Sequence, residues 1–268
     1  MEHSTCCARD FLHPDFARQC AALDIPLAFN RKWWEWVFIL HHAVQEGAVG
    51  NGTRALGFAV GGEPLPSAFA KLGAEVTATD APEDIAVAQG WQKSGEHAGR
   101  LEDLHRPSVV DRSTFDEKVS FSVCDMTRIS EDLTGFDFCW SSCAFEHLGT
   151  LKAGLDFVVE SVEKTLKRGG VACHTTELNL SSDADTVEHG QTVIYRKRDI
   201  LGLIDALERR GHSVRPLSIA PDTHVMDFFV DTPPYFVSAH AGETVPHLKL
   251  RLMGYVSTSV GLVIRRGR

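Results

Sequence analysis

The sequence predicts an α/β protein, a mostly parallel sheet covered on both faces by helices in three layers. Three observations predict it. Short apolar runs alternate with helical stretches from Arg54 to the C-terminus. A glycine-rich turn joins the first run to a helix, and an aspartate closes the second run. No repeat, low-complexity tract or linker breaks the alternation, so one domain is expected over 1–268. Within it, 1–50 reads as a helical cap, 54–177 as a ligand-binding core, and 178–268 as substrate-side loops and last strands.

Residues 1–30 carry two short helical stretches punctuated by Pro14 and Pro26. RKWWEWVFILHHAVQEG, Arg31 to Gly47, is a helix that is apolar over much of its circumference, so it must be buried on more than one side. Most of its aromatics are expected in the core. One or two, Trp34 foremost, are candidates to close over a ligand with Arg31 and Lys32.

After the turn Gly50-Asn51-Gly52, Ala55 to Val60 reads as the first strand. Gly57, Gly61 and Gly62 form a turn that lets a ligand approach the backbone. Pro64 to Leu72 is helical, with Leu65, Ala68, Phe69 and Leu72 at i, i+3, i+4 and i+7, and Gly73 ends it. N–H groups at the helix start would attract a polar group. Glu75 to Thr79 is the second strand. Asp80 follows about 20 residues past the glycines, where a carboxylate can accept both hydroxyls of a ribose. Glycines and acid together point to a nucleoside ligand beyond the carboxyl ends of the strands.

The polar stretch Ala81 to Lys118 is longer than one connection needs and is expected to lie across the ligand site. It has a helical section near Ser94 to Leu104, and its His97, Glu102 and His105 read as solvated. Val119 to Val123 is a third strand, ended by Cys124-Asp125-Met126. Phe136 to Ser142 is a fourth, with a helix start at Ala144 and an amphipathic run from Leu151 to Leu166. Lys167-Arg168-Gly169-Gly170 stops that helix, with cations at its negative pole. Gly170 to Glu177 is a fifth strand. A polar loop leads to a helix from Asp199 to Arg210, and Ser213 to Ile219 is a sixth strand. Pro221 to Pro246 is loop-rich, and Gly254 to Arg266 is a strong final strand.

Composition narrows the function. The chain is 268 residues long, with 43% hydrophobic and 24% charged residues and a formal net charge of -9. The pI of about 5.8 disfavours nucleic acid and anionic membranes as partners. No apolar run approaches the ~20 residues of a membrane helix. The polar N-terminus lacks a signal-peptide core, so a cytoplasmic protein is expected. The seven cysteines form no CxxC pair, which reads as reduced, mostly buried thiols. Cys143, just past a strand end, is the candidate for a reactive one. There is no P-loop, GxSxG or HExxH, so phosphoryl-transfer, α/β-hydrolase and zinc-protease readings lack their motifs.

The order of these features resembles the class I S-adenosylmethionine-dependent methyltransferases. Ala55 to Gly62 is similar to their glycine-rich first motif. Asp80 and Asp125 match the acids after the second and third strands. FDFCWSSCAFEHLG looks like their fourth motif, and LKRGGVACHTTE resembles the strand that follows L-(K/R)-P-G-G. The resemblance covers roughly Arg54 to Glu177. It implies a Rossmann-like, seven-stranded sheet with an antiparallel C-terminal strand, and S-adenosyl-L-methionine as cofactor. The backbone around Gly57, Ala59, Gly61 and Gly62 would face the methionine part. Asp80 and Ala81 would meet the ribose, and Asp125 and Met126 the adenine. Ser141 and Ser142 would line the sulfonium end. Ala59 departs from the usual middle glycine, and Arg168 from the usual proline.

Methyl transfer to a hydroxyl or an ammonium needs positioning and a base. His147 and Glu146, after the fourth strand, are the candidates, and an imidazole suits proton abstraction at neutral pH. His174, Glu177 and His189 form a second polar cluster. His174 and Glu177 stand i, i+3 on a strand, hence on opposite faces, so no spacing demands a metal. His174 and Glu177, with Asn179, are candidates for a polar substrate. Tyr195 and Arg196 join them from the later loops, which also carry Arg198, His224, Tyr235, His240 and His247. The expected reaction is methyl transfer to O or N of a small polar molecule. The alternatives are a cyclase or aminocarboxypropyl transferase that releases methylthioadenosine, an NAD-dependent oxidoreductase, or an inactive nucleoside-binding module.

Overall fold

The computed structural model describes residues 1–89, 97–235 and 245–268. Three helices open the chain: α1 (Ala8–Phe11), α2 (Pro14–Leu23) and α3 (Arg31–Gln45). Then come β1 (Arg54–Phe58), α4 (Leu65–Lys71), β2 (Glu75–Asp80), α5 (Glu83–Gln89), α6 (Arg112–Lys118) and β3 (Val119–Val123). They are followed by β4 (Phe136–Ser142), α7 (Leu151–Glu160), β5 (Leu166–Asn179) and α8 (Lys197–Arg209). The chain ends with β6 (Ser213–Val214), β7 (Val230–Asp231), β8 (Lys249–Leu252) and β9 (Tyr255–Arg265).

Among the described residues the strands form one sheet in the order β3-β2-β1-β4-β5-β9-β8-β7, with β6 also on β9. The first five strands pair in parallel, and β9 runs antiparallel to β5, β6 and β8. The seven expected strands are all present. Two short ones, β7 and β8, extend the sheet from a region expected to be loop.

Alternation along each strand builds two cores, one on each face. On one side Val76, Ala78, Phe138, Trp140 and Cys173 pack with Val37 and Phe38 of α3, Phe69 of α4 and Phe115 of α6. On the other, Leu56, Phe58, Cys139 and Ile264 pack with Phe157 of α7 and Leu203 and Leu207 of α8. Each such aromatic contributes about 1.5–3 kcal/mol by leaving water. The apolar α3 is therefore a true layer of the sandwich. Asn30 caps it by accepting the N–H of Lys32 at 2.9 Å. Gly261 of β9 lets it approach, since any Cβ there would strike the Phe38 ring.

Other boundaries moved for physical reasons. The run expected as one helix to Leu166 gives way after Glu160 to a π-turn over Ser161–Thr165. There the Ser161 and Thr165 hydroxyls donate to the carbonyls of Val158 and Ser161. The sixth strand stops at Val214 because Pro216 has no N–H to offer a ladder. The helix expected at Ala144 is a single 3-10 turn, Phe145–His147. Of the helical section expected near Ser94 to Leu104, Leu101–Leu104 is a 3-10 turn, and its first residues lie outside the described ones.

Candidate functional site

The carboxyl ends of β1, β2 and β4 open into a cleft of ≈ 620 Å³. Its floor is the turn after β1. Ala59 and Gly61 both stand at φ 48, in the left-handed region. For alanine that conformation costs about 1–2 kcal/mol. The turn is held to β2: Val60 N–H donates to the Thr79 carbonyl, and the Thr79 hydroxyl donates to the Gly57 carbonyl at 2.8 Å. Gly57 itself does not reach the cleft. A Cβ there would meet Trp140 and Val60, so this glycine serves packing, a correction to the role implied for it.

Asp80 lies on the cleft wall but is only 2% exposed. Its Oδ2 accepts the N–H groups of Gly61 at 2.9 Å and Ala98 at 3.0 Å, and its Oδ1 accepts that of Ala81 at 2.7 Å. Burial pushes its carboxyl up, and the three amides pull the other way. A carboxylate has about four acceptor positions, so roughly one is left. The expectation that it accepts two hydroxyls therefore narrows to one in this conformation. Of the long stretch expected across the site, Ala81 and Ile85 line the cleft and His97 meets the Ala81 carbonyl at 2.9 Å, while 90–96 lie outside the described residues.

Asp125 uses Oδ1 to accept the Thr127 N–H and hydroxyl, at 2.8 and 2.7 Å. Met126 and Ile85 line the same cleft with apolar side chains, and Asp125 is part of that lining. Ala81, Gly61 and Gly62 line the same cleft, as do Ser142, Ala144 and His147. His147 Nδ1 stands 2.8 Å from the Gln191 carbonyl oxygen and 3.1 Å from the Thr192 hydroxyl. A carbonyl can only accept, so in the neutral ring Nδ1 carries the proton and Nε2 is the basic nitrogen.

The structure separates several candidates from this group. Ser141 and His174 are buried in the α7 side of the sheet, with His174 between the hydroxyls of Ser141 (2.8 Å) and Ser161 (3.0 Å). Burial pushes His174 down to about 3, so it is a neutral core imidazole. Glu146 points away from the cleft and accepts the Thr176 hydroxyl at 2.9 Å, and burial raises its carboxyl. Trp34 has no exposure and donates to Asp10 Oδ2 at 2.7 Å, inside the α2–α3 core. Tyr195 is equally buried beneath Phe145. Arg196 is bound by Glu188 and Asp199 and by the Ala184 carbonyl. Asn179 caps the next loop, accepting the N–H of Ser181 at 2.8 Å. Glu146, His174 and Asn179 were expected at the site from their places at strand ends, Ser141 from the resemblance, Tyr195 and Arg196 from the later loops, and Trp34 from the N-terminal helix. Their chemistry is spent within the protein. His240 lies outside the described residues.

Behind the cleft is a charged hub that the sequence reading missed. Arg31 bonds Glu35 Oε1 at 3.0 Å, the Ser259 hydroxyl at 3.1 Å and Glu177 Oε1 at 2.5 Å. Lys32 Nζ reaches Glu35 Oε2 at 3.0 Å, and Ser142 and Cys143 also donate to Glu35. Burial alone would push Glu35 up, but Lys32 and Arg31 bring it down to about 2. Glu177 Oε2 accepts from Ser257 at 2.8 Å. Cys143 sits at φ 45, held by Thr175, and burial raises its thiol, which makes it a poor nucleophile. Cys143, Glu146 and Glu177 bring ligand atoms within 4.8 Å of one another. Each of those groups already has a hydrogen-bond partner, and the Arg31 guanidinium lies among them. The available signal was Arg31 and Lys32 at i, i+4 and i, i+3 to Glu35 on a helix apolar over much of its circumference.

No family model matches the chain, and no curated protein does. Among solved structures, the glycopeptide N-methyltransferase MtfA complexed with (S)-adenosyl-L-methionine is 15% identical over 89% of this chain and 95% of that one, with a TM-score of 0.49. The [4+2]-cyclase SpnF is 14% identical over 77% and 71%, with a TM-score of 0.46. Phosphoethanolamine N-methyltransferase 2 of Haemonchus contortus is 16% identical over 68% of this chain, with a TM-score of 0.42, and the match spans 38% of that protein. The antiparallel C-terminal strand that the resemblance implied is present as β9, beside β5. The fold is Rossmann-like, a mostly parallel sheet with helices packed on both faces.

Proposed function

We propose that the chain is an S-adenosylmethionine-dependent methyltransferase that acts at O or N of a small polar molecule. One observation carries the reading. The turn after β1, the acids after β2 and β3, and the Ser142–Gly149 segment after β4 converge on a single cleft of ≈ 620 Å³. Its chemistry fits the cofactor. Met126 and Ile85 would pack on an adenine, Asp125 of the same lining would meet its amine, and Asp80 keeps one acceptor position for a ribose hydroxyl. Bound there, the cofactor would supply an electrophilic methyl group on a good leaving group.

The protein's share is then orientation, exclusion of water and removal of a proton. Ser142 and Ala144, at the end of β4, would shape the methyl-transfer end. His147 would accept the proton of the attacking hydroxyl or ammonium at Nε2, with the Gln191 carbonyl holding the ring in that tautomer. Glu146 would act at most through its neighbours, since it does not line the cleft.

The test is calorimetric titration with S-adenosylmethionine, NAD⁺ and NADH, followed by mass analysis of the incubated cofactor. Binding of S-adenosylmethionine alone, with S-adenosylhomocysteine as by-product of a substrate screen, supports the reading. Methylthioadenosine as by-product replaces methyl transfer by cyclisation or aminocarboxypropyl transfer. Binding of NAD alone, or of neither, overturns it.

A further inference from the structure

We propose that Glu63 and Lys32 form a two-point clamp for the amino-acid end of the cofactor, Glu63 taking the α-ammonium and Lys32 the α-carboxylate; this rests on the reading of the cleft as an S-adenosylmethionine site. Both side chains line the cleft, Glu63 from the end of the glycine-rich turn and Lys32 from the first turn of α3. Glu63 is the unusual member. It is 4% exposed, and its Oε1 accepts the indole N–H of Trp140 at 2.5 Å. Its Oε2 has no hydrogen bond among the described residues. That oxygen is not sealed in the core, and Glu63 lines the cleft, so it is the atom left to meet a ligand there.

Its surroundings select a cation. Burial pushes Glu63 up to about 8, with Trp140 and Lys32 pulling down and Asp80 and Glu35 pushing up. The free protein therefore keeps Glu63 largely protonated at neutral pH. An incoming ammonium reverses the balance, and the carboxyl gives up its proton to solvent. Lys32 spends one of its three N–H donors on Glu35 and keeps two for a carboxylate. The turn itself cannot do that work. The helix after it is only seven residues long and opens Pro64-Leu65-Pro66, so two backbone donors are missing where a glycine-rich turn would otherwise offer them. The site has side-chain charges of both signs in their place, which suits a zwitterion.

The experiment compares S-adenosylmethionine with 5′-methylthioadenosine, which has the nucleoside but no amino acid. Both are titrated calorimetrically at pH 7 into the wild type and Glu63→Gln, in two buffers of different ionisation enthalpy. Gln keeps an oxygen for Trp140 and loses the charge. The clamp predicts an affinity loss of about tenfold or more for S-adenosylmethionine and little change for methylthioadenosine. It also predicts release of about one proton when the wild type binds S-adenosylmethionine, and none with methylthioadenosine or in the variant. Lys32→Met should weaken S-adenosylmethionine more than its decarboxylated analogue. If Glu63→Gln does not fold, the wild-type proton count decides. Tight S-adenosylmethionine binding with no proton release, or equal loss for both nucleosides, overturns the clamp and leaves the cleft reading intact. No binding of either nucleoside by the wild type removes both.

Discussion

Asp80 Oδ2 accepts the backbone N–H of Gly61 at 2.9 Å, and this bond joins the end of β2 to the turn after β1. The same carboxylate holds Ala81 and Ala98. Asp80 is thus a structural brace of the cleft as well as a candidate ligand. Asp80→Ala would leave three amides without their acceptor. We expect it to lower stability by about 2–4 kcal/mol and to weaken S-adenosylmethionine binding. Asp80→Asn, which keeps one acceptor oxygen, should lose less of both. Thermal melting and calorimetry read the two effects separately, and wild-type affinity in Asp80→Ala would remove Asp80 from the site.

Ala59 carries a left-handed backbone at φ 48 where glycine is the cheaper residue. Ala59→Gly should relieve about 1 kcal/mol of strain, partly offset by the greater freedom of glycine in the unfolded chain. The expected result is a melting temperature equal to or above that of the wild type. A fall of several degrees would mean that the Ala59 methyl packs more than it strains.

Glu35 sits at the centre of the hub, held down to about 2 against an ordinary value of 4.5 by Lys32 and Arg31, which outweigh its burial. Its folded value lies below its unfolded one. The stability it contributes is therefore present above about pH 4.5 and is lost as pH falls toward 2. Glu35→Gln leaves Arg31 and Lys32 under-compensated, so a loss of about 3–5 kcal/mol at pH 7 is expected. Urea unfolding between pH 7 and 3 should show a shallower acid decline for the variant than for the wild type.

Glu63 has the opposite sign. Its folded value, about 8, lies above the ordinary 4.5, so its contribution is full below pH 4.5 and declines as pH rises toward 8. The melting temperature of Glu63→Gln should therefore gain on the wild type between pH 5 and 8. A constant difference across that range would show that Glu63 is not the group that titrates.

His147 is placed on the cleft wall with Nδ1 at the Gln191 carbonyl. As the base it should contribute about 10²–10⁴-fold to turnover and little to cofactor binding. His147→Ala is expected to lower kcat by that factor with an unchanged Kd for S-adenosylmethionine. Full activity would exclude it as the base.

Much of this protein was written in local pattern. Strand and helix periods, glycine stops and the acids at strand ends depend on neighbours in sequence. They were enough to predict a mostly parallel sheet, through the resemblance its antiparallel last strand, and the elements whose ends meet at the cleft. What a side chain faces at the end of a strand depends on partners far along the chain. Ser141 and Ser142 are adjacent, yet one is bonded to His174 in the core and the other to Glu35 at the cleft, because successive strand residues point to opposite faces. Trp34 was judged by its size and place, and only the tertiary fold set Asp10 of α1 beside its indole N–H. Glu63 gave no signal of its own in the sequence, and only the fold brought Trp140 of β4 beside it. The sequence by itself determined the scaffold and the approximate mouth of the site. Tertiary contact decided which charges stay buried, which are already paired, and which still have an acceptor or donor to offer.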